Sequence, residues 1–170
     1  MAPLCKTSVL SQSAVEHQQH TQFMPKKVLI AEDDPSDVFL LRRAFAVAKI
    51  PATLHFVCDG QEAIDYLEGG AAYNNRTAYP LPDLMLLDLK MPKLNGFDVL
   101  TWLRRQPGLK RLLVTVLTSS DQPNDINRAY DLGANSYLLK PHNSSELSVL
   151  VAQVKRYWFD LNQRPVTLVE

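Results

Sequence analysis

From Val28 onward, short apolar runs alternate with amphipathic stretches, the texture of strands and helices in turn. The run VLIA at 28–31 is stopped by Glu32-Asp33-Asp34-Pro35. Val38, Leu41, Phe45 and Ala48 then recur at spacings of three and four, which predicts a helix with Pro35 in its first turn, where a missing N–H costs nothing. TLHFV at 53–57 reads as a second strand and Asp59-Gly60 as a turn. Ala63, Ile64 and Leu67 mark a second helix, ended by Gly69-Gly70. A longer connection over 69–82 carries Tyr73, Asn74, Asn75, Tyr79, Pro80 and Pro82. DLMLLDL at 83–89 is apolar on both faces up to Asp88, as suits a central parallel strand covered on both sides. Asn95-Gly96 opens a helix with Phe97, Leu100 and Leu103 that ends before Pro107-Gly108. A fourth strand is expected at 112–118, then a helix through Ile126, Ala129 and Tyr130 closed by Gly133. The fifth strand is SYLLK at 136–140, and a last helix covers roughly 144–161.

Five strands alternating with five helices predict an α/β fold, a doubly wound parallel sheet with helices on both faces. In such sheets the chemistry lies beyond the carboxyl ends of the strands. The polar residues that interrupt the apolar runs fall at those ends: Glu32 and Asp33 after the first strand, Asp88 after the third, Thr118 and Ser119 after the fourth, Lys140 after the fifth. Glu32, Asp33 and Asp88 would converge as three carboxylates. Two such charges ~4 Å apart repel by about 4 kcal/mol at an effective dielectric near 20. A fold keeps that repulsion only if a cation neutralises it or the carboxyl groups hold protons. All-oxygen ligands of this hardness suit Mg²⁺. With a hydroxyl at Thr118 and an ammonium at Lys140, the site holds both signs of charge that phosphoryl transfer needs, and a carboxylate can serve as its nucleophile through an aspartyl phosphate.

Composition narrows the class. The chain has 170 residues, 46% of them hydrophobic, enough to bury a core without disulfide or structural metal. Lys+Arg and Asp+Glu are 18 each, a balance that argues against a nucleic-acid binder. No apolar run reaches the length of a membrane span, and the first 25 residues lack a signal-peptide core. That segment, rich in Gln, Ser, Thr and His, is expected to be a disordered tail in which His17 and His20 are solvated. Cys5 and Cys58 read as reduced thiols of a cytoplasmic protein. Only 15 residues follow Lys155, too few for an output module, so the output is expected to pass through protein contacts.

The motifs VLIAEDDP, LLDLKMPKLNGFDVL, VLTSS and SYLLKP, with Thr118 and Lys140 at fitting distances after Asp88, resemble the receiver domain of bacterial two-component response regulators over roughly 26–160. This divides the chain into a tail at 1–25, a receiver at 26–161 and a C-terminal extension at 162–170. NDINRAYDLGANSYLLKP, the long segment before Asp83 and KRYWFDLNQ are similar to the single-domain phytochrome-associated response regulators. The resemblance implies a flavodoxin-like sheet of order 2-1-3-4-5. It makes Asp88 the phosphoacceptor and Asp33 and Asp88 direct Mg²⁺ ligands with the backbone carbonyl of Lys90, Glu32 acting through metal-bound water. It makes Thr118 the switch hydroxyl, Lys140 the phosphate partner and Tyr137 the switch aromatic, its ring rotating in from solvent on phosphorylation. It further implies a sensor histidine kinase as partner, a bacterial phytochrome among them, an unnamed downstream protein and a homodimer, with no catalysis beyond the regulator's own phosphorylation and dephosphorylation.

Three departures from the family stand out. Glu32 occupies a place where Asp is also common, Leu112 one where Pro is frequent, and Lys90 sets a cation two residues after Asp88, where it would impede or help the hydrolytic water. Lys90 also weighs against a dehalogenase-like, Mg²⁺-dependent phosphohydrolase, which wants a second acid there. Acidic EDDP disfavours a flavin phosphate cradle, and no GxGxxG serves a dinucleotide. A receiver that docks without phosphorylation is disfavoured because Asp33, Asp88, Thr118 and Lys140 are all present. Finally, Tyr157, Trp158 and Phe159 sweep about 200° of a helix, so at least one ring should face outward, with Val151 and Val154 as possible neighbours on a self-association surface.

Overall fold

The apolar runs form five parallel strands, β1 (Lys26–Ala31), β2 (Ala52–Val57), β3 (Leu84–Leu87), β4 (Val114–Thr118) and β5 (Ser136–Leu139), in one sheet of order β2-β1-β3-β4-β5. Between and after them lie α1 (Pro35–Val47), α2 (Gly60–Glu68), α3 (Gly96–Arg105), α4 (Pro123–Asp131) and α5 (Ser144–Lys155). This arrangement comes from a computed structural model, which describes residues 25–70 and 72–163. Expectations for the first 24 residues, Cys5, His17 and His20 included, lie outside the described residues.

Strand periodicity divides the core in two. Val28 and Ile30 of β1 and Leu84 and Leu86 of β3 face α1 and α5, packing on Leu41, Phe45, Leu147, Val151 and Val154. Their alternates Leu29, Ala31, Met85 and Leu87 face the other way, onto Ala63, Leu67, Leu100, Leu103 and Ala129 of α2, α3 and α4. Because β3 is buried on both faces, a truncation such as Leu86→Ala would cost about 2–5 kcal/mol.

The central strands are shorter than their apolar runs. β3 ends at Leu87 and β5 at Leu139, so Asp88 and Lys140 stand one step beyond their strands, their N–H groups still donating to the Ala31 and Thr118 carbonyls at 3.0 and 2.8 Å. β4 begins at Val114, with the buried Leu112 and Leu113 leading into it.

The C-terminal end departs from the expected continuous helix. After Lys155 the chain widens into a π-helical segment, Arg156–Leu161, within which Trp158 is buried among Val151, Val154 and the α1 side of the core. The three-ring expectation holds in part. Tyr157 is exposed and meets Trp158 edge-on at 4.8 Å, but Val151 and Val154 are core residues rather than outward neighbours. The extra residue per turn rotates the aromatic run so that its largest ring continues the buried stripe.

The connection before β3 is built rather than loose. The Arg76 guanidinium donates to the Tyr66 and Leu67 carbonyls at 2.7 and 2.8 Å, closing the C-terminus of α2, and Tyr66 and Tyr73 each meet Tyr79 edge to face. Among the described residues, no helix is long and apolar enough to cross a membrane.

Candidate functional site

Each acid reaches the carboxyl edge of the sheet by a local device. β1 is followed directly by Glu32, which is 3% exposed, and Asp33, which is exposed. Asp34 then caps α1 by accepting the Ser36 N–H at 2.7 Å, so the chain turns away directly after the two acids. Asp88 is buried, and its Oδ1 accepts the Leu89 and Lys90 N–H groups at 2.6 and 3.3 Å. Glu32, Asp33 and Asp88 bring one carboxylate oxygen each within 4.8 Å of one another. The donor set is three hard oxygens with one exposed member, which fits a partly hydrated Mg²⁺.

Lys140 supplies the opposite charge. Its ammonium lies 2.6 Å from Glu32, 2.9 Å from Asp88 and 2.8 Å from Asp37 in the first turn of α1. Burial works against that charge, but hydrogen bonds to Asp37, Glu32 and Asp88 outweigh it and hold the ammonium above the usual lysine range. Burial pushes the Glu32 carboxyl up to about 7, a rise that the Lys140 bond and charge offset only in part and that Asp88 adds to. The pocket thus holds one carboxyl group close to its midpoint near neutrality, a poise that an incoming cation would tip toward the carboxylate.

Thr118 and Tyr137 sit on the β4–β5 side. Thr118 is fully buried at the end of β4, its hydroxyl facing the Ser120 N–H at 3.5 Å. Tyr137 is not in solvent as expected. Its ring packs against the α2–α4 side of the core and its hydroxyl donates to the Ser120 carbonyl at 2.8 Å. Burial raises the Tyr137 phenol above its ordinary value. Ser120 in turn donates to Asp125 of α4 at 2.5 Å, so β4, α4 and β5 meet at one loop residue.

The loop after Asp88 is fixed by backbone. Gly96 donates its N–H to the Leu89 carbonyl at 3.1 Å, and an added Cβ there would collide with the Asp88 carbonyl. Asn95 and Asp98 form a reciprocal cap on α3. On the far side, Gly60 donates to Leu94 at 3.1 Å, while Lys93, at φ 59°, bridges to the buried Asp59 at 2.6 Å. Lys90 projects outward from this loop, with its N–H on Asp88.

The structure therefore gathers Glu32, Asp33, Asp88 and Lys140 at one point, with Thr118 and Tyr137 along the adjoining edge. Sequence reasoning missed Asp37, Asp59, Lys93, Ser120 and Asp125. Asp37 and Asp59 carried a signal, as acids at helix starts, but their lysine partners lie 103 and 34 positions away.

A parallel sheet of this order with acids, hydroxyl and lysine at its carboxyl edge defines a signalling receiver, and the profile described as response regulator receiver domain matches residues 28–152. The chain belongs to this family and is a receiver-domain response regulator of two-component systems. Among its relatives, response regulator Rcp1 of Synechocystis sp. (strain PCC 6803) is 35% identical over 136 residues, 80% of this chain and 90% of Rcp1. The crystal structure of the Mn²⁺-bound form of Rcp1 aligns with a TM-score of 0.75 over 84% of this chain and all of that one. The structure of phosphorylated RcpA, a cyanobacterial phytochrome response regulator, aligns with a TM-score of 0.77 at 37% identity, covering 84% of this chain and 99% of RcpA. A protein described as a probable methanogenesis regulator, FilR2 of Methanothrix harundinacea, is 36% identical over 144 residues, 83% of this chain and 88% of its own.

Proposed function

We propose that the chain accepts a phosphoryl group on Asp88 from a sensor histidine kinase, in a Mg²⁺-dependent reaction, and signals through protein contacts. The observation that carries this reading is the placement of Asp88: buried, within one carboxylate set, and 2.9 Å from the Lys140 ammonium. In the reaction an Asp88 oxygen attacks phosphorus, and its new O–P bond forms as the bond from phosphorus to the donor nitrogen breaks, the nitrogen keeping the electron pair. Thr118 and Lys140 donate to the phosphoryl oxygens, where negative charge is spread. Asp33, Asp88 and the Lys90 carbonyl would hold Mg²⁺ directly, and Glu32 through water; the bound ion neutralises the carboxylates against an anionic donor. Rcp1 with Mn²⁺ and RcpA with its phosphoryl group support both halves of the reading.

RcpA also supports a bacterial phytochrome as the kinase, and with it a cytoplasmic site of action. The receiver is proposed to span 26–161, flanked by the 1–25 tail and the 162–170 extension. Association into a homodimer is proposed through the end of the chain, where Leu139, Val149, Tyr157 and Leu161 are exposed apolar residues of β5, α5 and the segment after it. Tyr157→Ala should then shift sedimentation toward monomer at micromolar concentration; a wild type that is already monomeric at high micromolar concentration contradicts the dimer.

Intact mass after incubation with Mg²⁺ and a small phosphodonor tests the central reading. One phosphoryl group should appear on wild type and none on Asp88→Asn. Repeated turnover with release of inorganic phosphate from a phosphate ester would instead indicate a hydrolase, and no adduct at all a docking module.

A further inference from the structure

Lys140 carries three N–H donors, and all three have a carboxylate within reach: Glu32, Asp37 and Asp88. The three acceptors are not equivalent. Glu32 and Asp88 belong to the carboxylate set fit for a cation, and Asp88 is also the residue that phosphorylation would change. Asp37 is outside that set. It sits in the first turn of α1, about one third exposed, and reaches Lys140 across 103 positions of sequence. A divalent ion beside Glu32 and Asp88 would place positive charge close to the ammonium and compete with it for both carboxylates. Such competition loosens the two buried bonds and leaves Asp37 unaltered.

A lysine that loses its counter-ions has a ready alternative, because its flexible stem can carry a strongly hydrated ammonium out to water. Beside the stem is a cavity of about 20 Å³, lined by Asp37, Leu40, Leu41, Leu117 and Leu147 among others. Its wall is apolar apart from Asp37 and Asn143, and so offers the ammonium little else to bind.

We propose that Asp37 is a positioning residue that retains the Lys140 ammonium at the site when a cation has taken over Glu32 and Asp88, so that it is in place for an incoming phosphoryl group. The inference rests on the reading of Asp88 as phosphoacceptor. An acid in the first turn of α1 would also favour the helix electrostatically, a role independent of Lys140. The two roles separate experimentally.

The first readout is the amidination rate of Lys140 by an imidoester, followed by peptide mass, in saturating Mg²⁺. Asp37→Asn should raise that rate roughly five- to tenfold, in keeping with the loss of one charge-assisted hydrogen bond. Asp37→Glu should restore much of the protection, and Lys155 in the same samples should label at the wild-type rate. An unchanged Lys140 rate in Asp37→Asn overturns the proposal. The second readout is phosphoryl uptake from a small phosphodonor. Asp37→Asn should slow it roughly five- to tenfold when Lys140 is present and leave it unchanged in a Lys140→Met background. Equal slowing in both backgrounds assigns Asp37 to the helix and overturns the proposal. Should wild type take up no phosphoryl group, the phosphoacceptor reading fails while the labelling result still decides the placement of Lys140.

Discussion

The two halves of the site are held in different ways. Around Asp88 and its loop the restraints are backbone: Gly96 pressed on the Asp88 carbonyl, Gly60 bonded to Leu94, and Asn95 capping α3. Around Thr118, Tyr137 and Lys140 they are side-chain hydrogen bonds. A cation needs its carboxylates at fixed separations, and the first half provides that. A switch, the role expected of Thr118 and Tyr137, needs alternatives that differ by a few kcal/mol, and side-chain bonds suit that need better than backbone ones.

Substitutions in each half can break or sharpen this contrast. The largest expected effect is on the metal. At about a hundred times its dissociation constant, Mg²⁺ should add about 2.7 kcal/mol of stability, read as a rise in melting temperature. Asp33→Ala should remove most of that gain and leave the metal-free protein nearly unchanged, because Asp33 is exposed and outside the core. Equal stabilisation of both proteins would place the ion elsewhere.

Next comes the rigid loop itself. Gly96→Ala forces a Cβ onto the Asp88 carbonyl and should cost about 1–3 kcal/mol in urea unfolding, with a loss of Mg²⁺ affinity beside it. A variant with native stability and affinity would mean that the loop yields, and the contrast would fall.

The pH dependence follows from Glu32. Burial lifts this carboxyl from 4.5 to about 7, so the folded protein keeps a proton that the unfolded chain has released. Its contribution to stability is complete below the unfolded value and is lost as the pH rises through about 7, in the metal-free protein. A cation displaces the same proton, so Mg²⁺ affinity should increase about tenfold between about pH 6 and about pH 8 by calorimetry. Affinity independent of pH in that window would contradict the assignment of Glu32.

The smallest effect is on the side of Thr118 and Tyr137. Tyr137→Phe removes the bond to the Ser120 carbonyl and should cost about 1 kcal/mol, with faster amide exchange in the loop after β4 and unaltered Mg²⁺ affinity. A drop in affinity as large as that of Gly96→Ala would show the two halves to be one unit.

The contrast also explains what could be read from the chain alone. The parallel sheet was legible because β3 is apolar on both faces while the strands around it end in acids, hydroxyl or lysine, and because Pro35, Gly69 and Gly133 mark helix ends in the positions their backbones require; its strand order came from the resemblance to the receiver family. Glu32, Asp33, Asp88, Thr118 and Lys140 were legible because each interrupts or ends an apolar run. Asp37 and Asp125 were not, since a first-turn acid is explained by its own helix and its partner is chosen by tertiary contact. The state of Tyr137 was equally hidden. Its position in β5 was plain, but the direction of its hydroxyl depends on where the loop after β4 carries the Ser120 carbonyl. The π-helical turn at Arg156–Leu161 escaped for a related reason: periodicity counts 3.6 residues per turn and has no mark for an extra one.

Transfer from a kinase tests the central claim most directly. A bacterial phytochrome kinase carrying labelled phosphate on its histidine should pass the label to wild-type protein in Mg²⁺, and not to Asp88→Asn or in the presence of a chelator. Label on Asp88→Asn at the wild-type rate, or transfer to wild type that ignores the chelator, would contradict the account.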